Sequence, residues 1–377
     1  MADVTGYLIV GTVAIGATAV ATPLVRALAE HKGWLAMPDA RKVHTVATPD
    51  VGGLAMFVGF LAAFLVASQM DRFSPLFDGN SEPLGVVLAA LVILLVGTRD
   101  DIKEVSAPAR VLATVVSALV LVYFGVTMFY FRVPFVGVLQ LSDDWIPIVT
   151  VVWLLVMTQA VNLIDGLDGL AAGIVAIGSI AFFIYSRHLS GLGLLTEPNI
   201  GPLVAIIVVG ICVGFLPYNF NRATIFMGDG GAYLLGLLVA VSTSVVGGRA
   251  DPTTQAFNGQ TYFFLAPVVI PLIILGVPVV DVLFAIIRRV SRRQSFATAD
   301  KGHLHHRLIA LGHGPRRAVA ILWLWTAFFS GLVLYPVFNK SATNFAPFGL
   351  AALVLFLYTV LHPDLQRDSR EQEPHHP

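Results

Sequence analysis

The sequence predicts an all-α, polytopic integral membrane protein with about eleven transmembrane helices. Hydrophobic residues make up 56% of the 377-residue chain and charged residues only 12%, whereas a soluble domain carries roughly a quarter charged residues. The mean hydropathy is +0.81. Several apolar runs approach the ~20 residues that a helix needs to cross the hydrocarbon core of a bilayer. These observations exclude an ordinary soluble fold.

Eleven apolar runs are candidates for the membrane-spanning helices. The third run is short for a span, and the ninth is long and contains three prolines that we expect to kink it. We expect residues 1–363 to form one transmembrane domain and the polar tail, residues 364–377, to be disordered. The eleven runs cover residues 7–28, 52–68, 84–97, 108–126, 145–161, 170–185, 201–216, 231–246, 262–290, 318–338 and 345–361.

The distribution of basic residues predicts the orientation of the chain. Lysine and arginine are enriched in the cytoplasmic loops of membrane proteins. With the N-terminus outside, the inner loops and the C-terminal tail carry 18 of the 23 basic residues. This bias supports an N-out, C-in topology. The five basic residues on the outer side are Arg72, Arg132, Arg187, Arg249 and Lys340.

Net charge and cysteine content give little further information about the class of protein. The formal net charge is zero, so bulk charge indicates no nucleic acid or other particular partner. Cys212 is the single cysteine, which excludes an intramolecular disulfide, and we expect it to be a small buried apolar residue. On the outer side, the aromatic and β-branched residues of 129–141 predict either a small hairpin or an interfacial segment.

The third inner loop carries the motif Asn162-Leu-Ile-Asp165-Gly-Leu-Asp168-Gly-Leu. Carboxylates beside a bilayer are costly and are seldom kept without a partner or a task. If the segment turns helically, the three-residue spacing places Asp165 and Asp168 on one face. Alternatively, the two acids simply end a hydrophobic helix in water. The loop contains no basic residue, so membrane anchoring by positive charge does not explain it.

The second inner loop opens with Asp100 and Asp101. Adjacent carboxylates repel one another unless a cation or a ligand lies between them. Magnesium prefers oxygen ligands and also binds substrate phosphates, so it is one candidate for that cation. The alternative is a solvated pair that Lys103 and Arg110 neutralise.

The first inner loop contains Arg41, Lys42 and His44, followed by Gly52 and Gly53. The three basic side chains are suited to an anionic headgroup or a nucleotide phosphate. They are equally typical of positive-inside anchors. The two glycines indicate either close helix packing or a backbone site for phosphate.

The fourth and fifth inner loops add two further polar motifs. Asp229 lies among three glycines at the start of the eighth run, where free N–H groups suit phosphate and the acid suits a metal ion. Phe226 is either a stacking partner for a nucleobase or a membrane-interface residue. His303, His305 and His306 resemble a zinc site, but zinc usually draws ligands from separated positions. Histidines among arginines are better suited to binding a diphosphate.

Together these motifs resemble the polyprenyl-phosphate N-acetylhexosamine-1-phosphate transferases. The chain is most similar to the bacterial undecaprenyl-phosphate alpha-N-acetylglucosaminyl 1-phosphate transferases, because Leu304 interrupts the histidine motif and an eleventh span is predicted. The matching motifs are Asp100-Asp101, Asn162-x-x-Asp165-Gly-x-Asp168-Gly-Leu170, Phe226-Met-Gly-Asp229 and His303-x-His305-His306.

The resemblance implies a Mg²⁺-dependent phosphoglycosyl transferase of the bacterial plasma (inner) membrane, multi-pass, with its active site on the cytoplasmic loops. Undecaprenyl phosphate attacks the β-phosphorus of a UDP-N-acetylhexosamine, most simply UDP-N-acetylglucosamine, and UMP leaves. The lipid-linked sugar starts O-antigen or another cell-surface glycan. Mn²⁺ is an alternative ion, and a homodimer is compatible with the resemblance. A one-step transfer and a covalent aspartyl-phosphate route both remain open.

The resemblance also implies roles for individual residues. Asp229 corresponds to the principal magnesium ligand, and Asp100 and Asp101 correspond to the acidic pair near the lipid phosphate and the metal. The expected nucleotide-side and substrate contacts are Asn162, Asp165, Asp168, Asn219, Phe226, Arg41, Lys42 and His44. The expected diphosphate or sugar contacts, counted with the catalytic residues, are His303, His305 and His306.

Two other classes of protein would use the same residues. An ion-coupled transporter of nucleotide sugars or anions would use buried acids as a relay, although its site should lie near the middle of the membrane. A structural scaffold of a glycan assembly complex would need none of the acids for activity.

Overall fold

A computed structural model describes residues 4–37, 47–133, 137–249, 304–338 and 345–360, together with residue 276. In this part of the chain the fold is helical, with two short antiparallel strand pairs. The helices are α1 Thr5–Lys32, α2 Gly53–Ser68, a 3₁₀ turn Asp71–Phe73, α3 Ser74–Phe77, α4 Glu82–Ile102, α5 Ala107–Tyr123, α6 Trp145–Ile164, α7 Leu170–Gly191, α8 Gly201–Asn219, α9 Gly228–Gly247, α10 Leu304–Ala310, α11 Pro315–Phe338 and α12 Ala346–Val360. The strands are β1 Leu35–Ala36, β2 Thr48–Pro49, β3 Tyr130–Val133 and β4 Gly137–Gln140.

Seven of these helices are long and apolar enough to cross a membrane: α1, α4, α6, α7, α8, α9 and α11. An eighth span results if α2 is counted with the segment Asp71–Phe77, which is bent from it by 91°. Helices α5 and α12 are apolar but shorter. The protein is therefore a multi-pass helical membrane protein, as predicted. The ninth predicted span, 262–290, and the tail, 364–377, lie outside the described residues except for residue 276.

The ten other predicted runs each coincide with a helix, but some boundaries were wrong. The third run was predicted to end at Gly97, yet α4 continues through Asp101 to Ile102. The acidic pair therefore lies in the last turn of a helix rather than in a loop. The helix continues through these polar residues because their side chains form hydrogen bonds with groups outside α4, as described below. On the opposite end of the bundle, β3 and β4 form the hairpin that was one of the two alternatives for 129–141.

Helix α9 lies at the centre of the bundle. Every residue of its 18-residue apolar window is buried, and α2, α4, α6, α7 and α8 pack around it. Its hydroxyl groups are satisfied internally, since Thr243 donates to the Val239 carbonyl and Trp153 donates to the Thr243 hydroxyl. Such satisfaction is required wherever backbone and side-chain polar groups are kept away from water.

Glycines allow α2 and α4 to approach the start of α9 backbone to backbone. A Cβ at Gly97 would lie 2.5 Å from the Gly230 Cα, and a Cβ at Gly53 would overlap the Gly231 backbone nitrogen. Small residues are typical of such close helix contacts in membranes. Gly52 and Gly53 also donate their N–H groups to the carbonyls of Phe226 and Met227. Of the two roles predicted for Gly52 and Gly53, close helix packing is confirmed. Their N–H groups are already hydrogen-bonded to carbonyls of the protein.

Candidate active site

Asp101 caps the N-terminus of α9. Its Oδ1 accepts a hydrogen bond from the Asp229 backbone N–H at 2.6 Å, and its Oδ2 accepts one from Gly230 N–H at 3.1 Å. A carboxylate in this position satisfies N–H groups that have no partner within the helix and interacts favourably with the helix dipole. Gly228 has a φ of +68°, and a Cβ there would lie 2.5 Å from Asp101 Oδ2. The Gly-Asp-Gly-Gly sequence thus allows the close approach of α4.

A cluster of three polar side chains surrounds the Asp229 carboxylate. Arg110 lies between two acids, with its NH1 3.0 Å from Asp100 Oδ2 and 3.4 Å from Asp229 Oδ2. Asn162, in the last turn of α6, donates its Nδ2–H to Asp229 Oδ1 at 3.1 Å. Asp100 Oδ1 accepts a hydrogen bond from Val105 N–H at 2.6 Å. Four helices, α4, α5, α6 and α9, and the α4–α5 loop therefore meet at one acidic site, which we call the acidic cluster.

The two acids of the predicted pair point to different partners. Asp100 binds Arg110 and the Val105 N–H, whereas Asp101 binds the start of α9. Of the alternative in which Lys103 and Arg110 neutralise a solvated pair, the Arg110 contact is confirmed, but the Asp100 side chain is only 5% exposed and is not solvated. Arg110 pairs with Asp100 within the site, while the Lys103 backbone carbonyl accepts a bond from Arg99 at the rim.

The motif loop 165–169 packs against the α8–α9 loop through buried and partly buried polar groups. Asp168 Oδ2 accepts a bond from Ala223 N–H at 2.9 Å. Asn219 accepts one from Gly169 N–H at 3.0 Å and donates its Nδ2–H to the Ile225 carbonyl at 3.1 Å. Asn219 is only 2% exposed. These bonds support positioning roles for Asp168 and Asn219, beside the substrate contacts that were predicted for them.

Asp165 and Asp168 do not lie on one face of a helix, because the segment that contains them is not helical. Helix α6 ends at Ile164 and α7 begins at Leu170, so the motif acids lie in a turn. Asp165 follows the last residue of α6. Burial, together with the charges of Asp50, Asp229 and Asp168, raises the pKa of the Asp165 carboxyl well above its usual value. Its position places it within electrostatic range of the acidic cluster.

Phe226 joins the end of the first inner loop to the start of α9. Its N–H donates to the Pro49 carbonyl at 2.8 Å, and its carbonyl accepts a bond from Gly52 N–H at 2.9 Å. Its side chain is partly buried. The backbone bonds explain how β2 and the α8–α9 loop are held together, and the stacking role of the ring stays a prediction.

Several predicted residues lie outside the described part of the chain. Arg41, Lys42 and His44 fall in residues 38–46, and His303 falls before α10. His305 and His306 lie in α10, but their side chains are not described. The contacts expected of these six residues stay predictions.

Sequence reasoning missed two residues as members of the site. Arg110 was considered only as a solvated counter-ion, although it is the cation that bridges Asp100 and Asp229. Asp50, which precedes Gly52 and Gly53, lies close enough to raise the pKa of Asp165. The signal for Asp50 was its place two residues before Gly52, on the same predicted face as the other acids.

The donors of the acidic cluster are of the type that Mg²⁺ prefers, namely carboxylate oxygens on short side chains. In the described ranges, no three His, Cys, Asp or Glu side chains are grouped tightly enough to form a ready-made metal site. Asp229 is 28% exposed, whereas Asp100 is 5% exposed. Asp101 uses both oxygens to cap α9. Both oxygens of Asp100 are likewise engaged, by Val105 N–H and Arg110, so Asp229 is the most accessible carboxylate of the cluster for a metal ion, and Asp101 is suited to a positioning role.

Fold and site together define a multi-pass helical membrane protein whose central helix begins at an acidic cluster. Comparison with known proteins specifies the class further. The profile of glycosyl transferase family 4 matches residues 83–247, which contain the whole cluster. The chain is 36% identical over 375 residues to the decaprenyl-phosphate N-acetylglucosaminephosphotransferase of Mycobacterium tuberculosis, covering 97% of this chain and 91% of the relative.

Other relatives carry similar names. The chain is 34% identical over 341 residues to the probable undecaprenyl-phosphate N-acetylglucosaminyl 1-phosphate transferase of Bacillus subtilis, covering 90% of this chain and 87% of the relative. It is 26% identical over 346 residues to the undecaprenyl-phosphate alpha-N-acetylglucosaminyl 1-phosphate transferase of Thermotoga maritima, covering 90% and 94%. The chain belongs to the polyprenyl-phosphate N-acetylhexosamine-1-phosphate transferases of glycosyl transferase family 4, which confirms the family that its motifs predicted.

Proposed function

We propose that this protein transfers N-acetylglucosamine 1-phosphate from UDP-N-acetylglucosamine to a polyprenyl phosphate and releases UMP. The observation that carries the proposal is the placement of Arg110 between Asp100 and Asp229, at the start of the central helix, in a chain of this family. This arrangement places acidic and basic side chains together at the start of α9, where we expect the diphosphate to bind.

The transfer is a displacement at phosphorus. An oxygen of the lipid phosphate forms a bond to the β-phosphorus of the nucleotide sugar, and the bond from that phosphorus to the oxygen shared with the α-phosphate breaks. UMP takes up the bonding electrons and leaves. A phosphate monoester is largely dianionic at neutral pH, since its second pKa is near 6. No strong general base is therefore required, and the protein contributes mainly positioning and neutralisation of charge.

The charges on both substrates explain why the site combines acids with a cation. We expect Asp229 and Asp100 to hold Mg²⁺, with Mn²⁺ as an alternative. When bound, the metal would neutralise oxygens of the diphosphate. Arg110 has a side chain that is 33% exposed, and only its NH1 engages the acids. Its other guanidinium N–H groups are therefore suited to a phosphate oxygen, because the fork matches phosphate geometry.

The remaining predicted contacts complete the proposal. Asn162 and Asp165 would line the nucleotide side of the site, and Phe226 would stack on uracil. Asp168 and Asn219 would hold this wall in place through the backbone bonds described above. The expected partners of the diphosphate and sugar from the first and fifth inner loops are Arg41, Lys42, His44, His303, His305 and His306.

The substrates are proposed from those of the relatives that this chain resembles. The named relatives use a polyprenyl phosphate with either a decaprenyl or an undecaprenyl chain, together with N-acetylglucosamine. We propose that the product starts a cell-envelope glycan, with O-antigen as the pathway predicted from the histidine motif. We further propose an enzyme of the bacterial inner membrane with eleven spans, N-out and C-in, with residues 1–363 as one domain and the acidic cluster facing the cytoplasm. We also propose that the protein forms a homodimer, and light scattering of the purified protein tests this oligomeric state.

The test is UMP release by the purified protein in detergent with Mg²⁺, UDP-N-acetylglucosamine and undecaprenyl phosphate. Release that depends on the lipid supports the enzyme, and Asp229→Ala should abolish it. An ion-coupled transporter would instead release no UMP and would take up nucleotide sugar into vesicles. A scaffold would keep its cellular activity in Asp229→Ala. A panel of UDP-sugars and both polyprenyl phosphates then identifies the preferred substrates.

A further inference from the structure

Tyr233 lies one helical turn further along α9 than Asp229. Residues four positions apart share one face of a helix, and the rise of a helix places Tyr233 roughly 6 Å deeper in the bundle. Its side chain is only 4% exposed. The other residues between Asp229 and Ser242 are glycine, alanine, leucine and valine. The tyrosine hydroxyl is therefore the single polar side-chain group on this stretch of the central helix.

The hydroxyl of Tyr233 faces the acidic cluster. It shares a hydrogen bond with the side-chain amide of Asn162, and that amide donates its Nδ2–H to Asp229 Oδ1 at 3.1 Å. Asn162 thus bridges two residues on the same face of α9. The hydroxyl is also within electrostatic range of Arg110 and Asp100. Tyr233 therefore closes the cluster on the side that points into the bundle.

The packing of α6 against α9 fixes the backbone that carries Asn162. A Cβ at Gly236 would lie 2.5 Å from the Thr158 Cα, so the two helices touch backbone to backbone one turn before Asn162. Further along, Trp153 donates its indole N–H to the Thr243 hydroxyl at 3.0 Å. These contacts at two depths fix the position of α6 along α9, and only the side-chain torsions of the asparagine are left to be set.

A second hydrogen bond is what sets those torsions. An asparagine amide has donors at one end and an acceptor at the other, and a single hydrogen bond leaves its plane free to rotate. The Tyr233 hydroxyl holds the amide from the side opposite to Asp229. Packing alone does not require this oxygen, since phenylalanine would fill the same space. A buried hydroxyl costs free energy unless it is hydrogen-bonded.

We propose that Tyr233 is a positioning residue of the acidic cluster: its hydroxyl fixes the Asn162 amide, which in turn orients the Asp229 carboxylate for a divalent cation. The inference rests on the proposed function, in which Asp229 is the principal ligand of Mg²⁺. Groups that are hydrogen-bonded to a metal ligand orient it, and their loss typically weakens metal binding roughly 10- to 100-fold. Tyr233 acts through Asn162 and touches neither the metal nor the substrates.

The test is a Mg²⁺ titration of full-length Tyr233→Phe in detergent, followed by the melting temperature, which a bound ligand raises. The variant loses the hydroxyl and retains the ring, so its melting temperature without Mg²⁺ should change little. Its apparent Kd for Mg²⁺ should rise roughly ten-fold. UMP release should fall at low Mg²⁺ and return toward the wild-type rate at high Mg²⁺.

Tyr185→Phe is the matched control. Tyr185 is 6% exposed and lies in α7, roughly four turns from the motif loop. The control therefore removes the same hydroxyl from an equally buried tyrosine, and it should bind Mg²⁺ like the wild type.

A double-mutant cycle with Asn162→Ala tests whether Tyr233 acts through the amide. If it does, adding Tyr233→Phe to Asn162→Ala should leave the Kd for Mg²⁺ unchanged, because effects on one chain of contacts are not additive. A hydroxyl that only supports the fold would lower the melting temperature equally with and without Mg²⁺ and would not change the Kd.

Two outcomes would overturn the inference: wild-type affinity for Mg²⁺ in Tyr233→Phe, or a further ten-fold loss when it is added to Asn162→Ala. Failure of the proposed function is a separate result. If the wild type binds Mg²⁺ but releases no UMP, the reaction is wrong, and the Mg²⁺ titration still decides the role of Tyr233.

Discussion

Asp101 holds the helix that carries Asp229: its two carboxylate oxygens accept hydrogen bonds from the backbone N–H groups of Asp229 and Gly230 at 2.6 and 3.1 Å. The side chain at the end of α4 thus sets the position of the side chain at the start of α9. Because the two helices also touch through Gly97 and Gly230, the acidic cluster is built on a rigid junction rather than on a mobile loop.

Replacing Asp101 with alanine should destabilise this junction. The first turn of α9 loses its cap, which costs about 1–2 kcal/mol at an ordinary helix N-terminus, and Asp229 loses its fixed position. We expect a lower melting temperature and little UMP release, measured on the same detergent sample. Asp143→Ala, at an exposed position, should change neither. A normal melting temperature in Asp101→Ala would show that the cap is dispensable.

Replacing Arg110 with methionine should impair catalysis more than folding. The change removes the cation between Asp100 and Asp229 and a donor suited to phosphate, and losing one such group typically costs about 100-fold or more in rate. Arg110→Lys should recover part of the rate, since it keeps the charge without the fork. Steady-state UMP release measures both variants. Arg99→Met, at an exposed position in the last turn of α4, is the control. Full activity of the Arg110→Met variant would exclude Arg110 from the active site.

Removing divalent metal should abolish the transfer. EDTA should stop UMP release, and added Mg²⁺ should restore it. Mg²⁺ should also raise the melting temperature of the wild type, because a ligand that binds the folded state stabilises it. Asp229→Asn should lose that rise, whereas Asp143→Asn should keep it. Undiminished turnover in EDTA would contradict a metal held by Asp229 and Asp100.

Adding a methyl group at Gly97 should separate α4 from α9. A Cβ at this position would lie 2.5 Å from the Gly230 Cα, so one backbone must move, and overpacking of this kind costs about 1–3 kcal/mol. Gly97→Ala should therefore lower both the melting temperature and the activity. Gly16→Ala is the contrast, because nothing lies within 4 Å of its Cβ. It should stabilise the protein by roughly 0.5 kcal/mol. Equal melting temperatures of Gly97→Ala and the wild type would contradict the close contact between α4 and α9.

Neutralising Glu82 should destabilise the protein without altering the acidic cluster. Glu82 and Arg249 form an ion pair at 2.6 Å with side chains that are 13% and 9% exposed. Breaking a buried pair leaves a charge uncompensated and costs about 3–5 kcal/mol. Chemical denaturation of Glu82→Gln tests this. Glu30→Gln breaks the exposed pair with Arg26 and should cost no more than about 0.5 kcal/mol. Similar losses in the two variants would contradict a buried pair.

Much of the fold was predictable because it depends on local composition. Residues 170–185 and 201–216 were predicted as spans, and α7 and α8 begin at the same residues. The burial of Cys212 was also confirmed. The errors occurred at the polar ends of helices. Gly97 was taken as an end because charged residues follow it, yet these residues satisfy partners on other helices and so continue α4.

By itself, the sequence determined the membrane class, the position of most spans and the motifs that identify the family, because apolar length and residue type act locally along the chain. Only the tertiary structure decided which atoms of each acid are engaged. Arg110 and Asp229 are 119 residues apart in the chain, and no periodicity links them. Their contact arises because glycines let α4 and α9 meet backbone to backbone, which places Asp101 under the start of α9 and the Asp100–Arg110 pair beside Asp229.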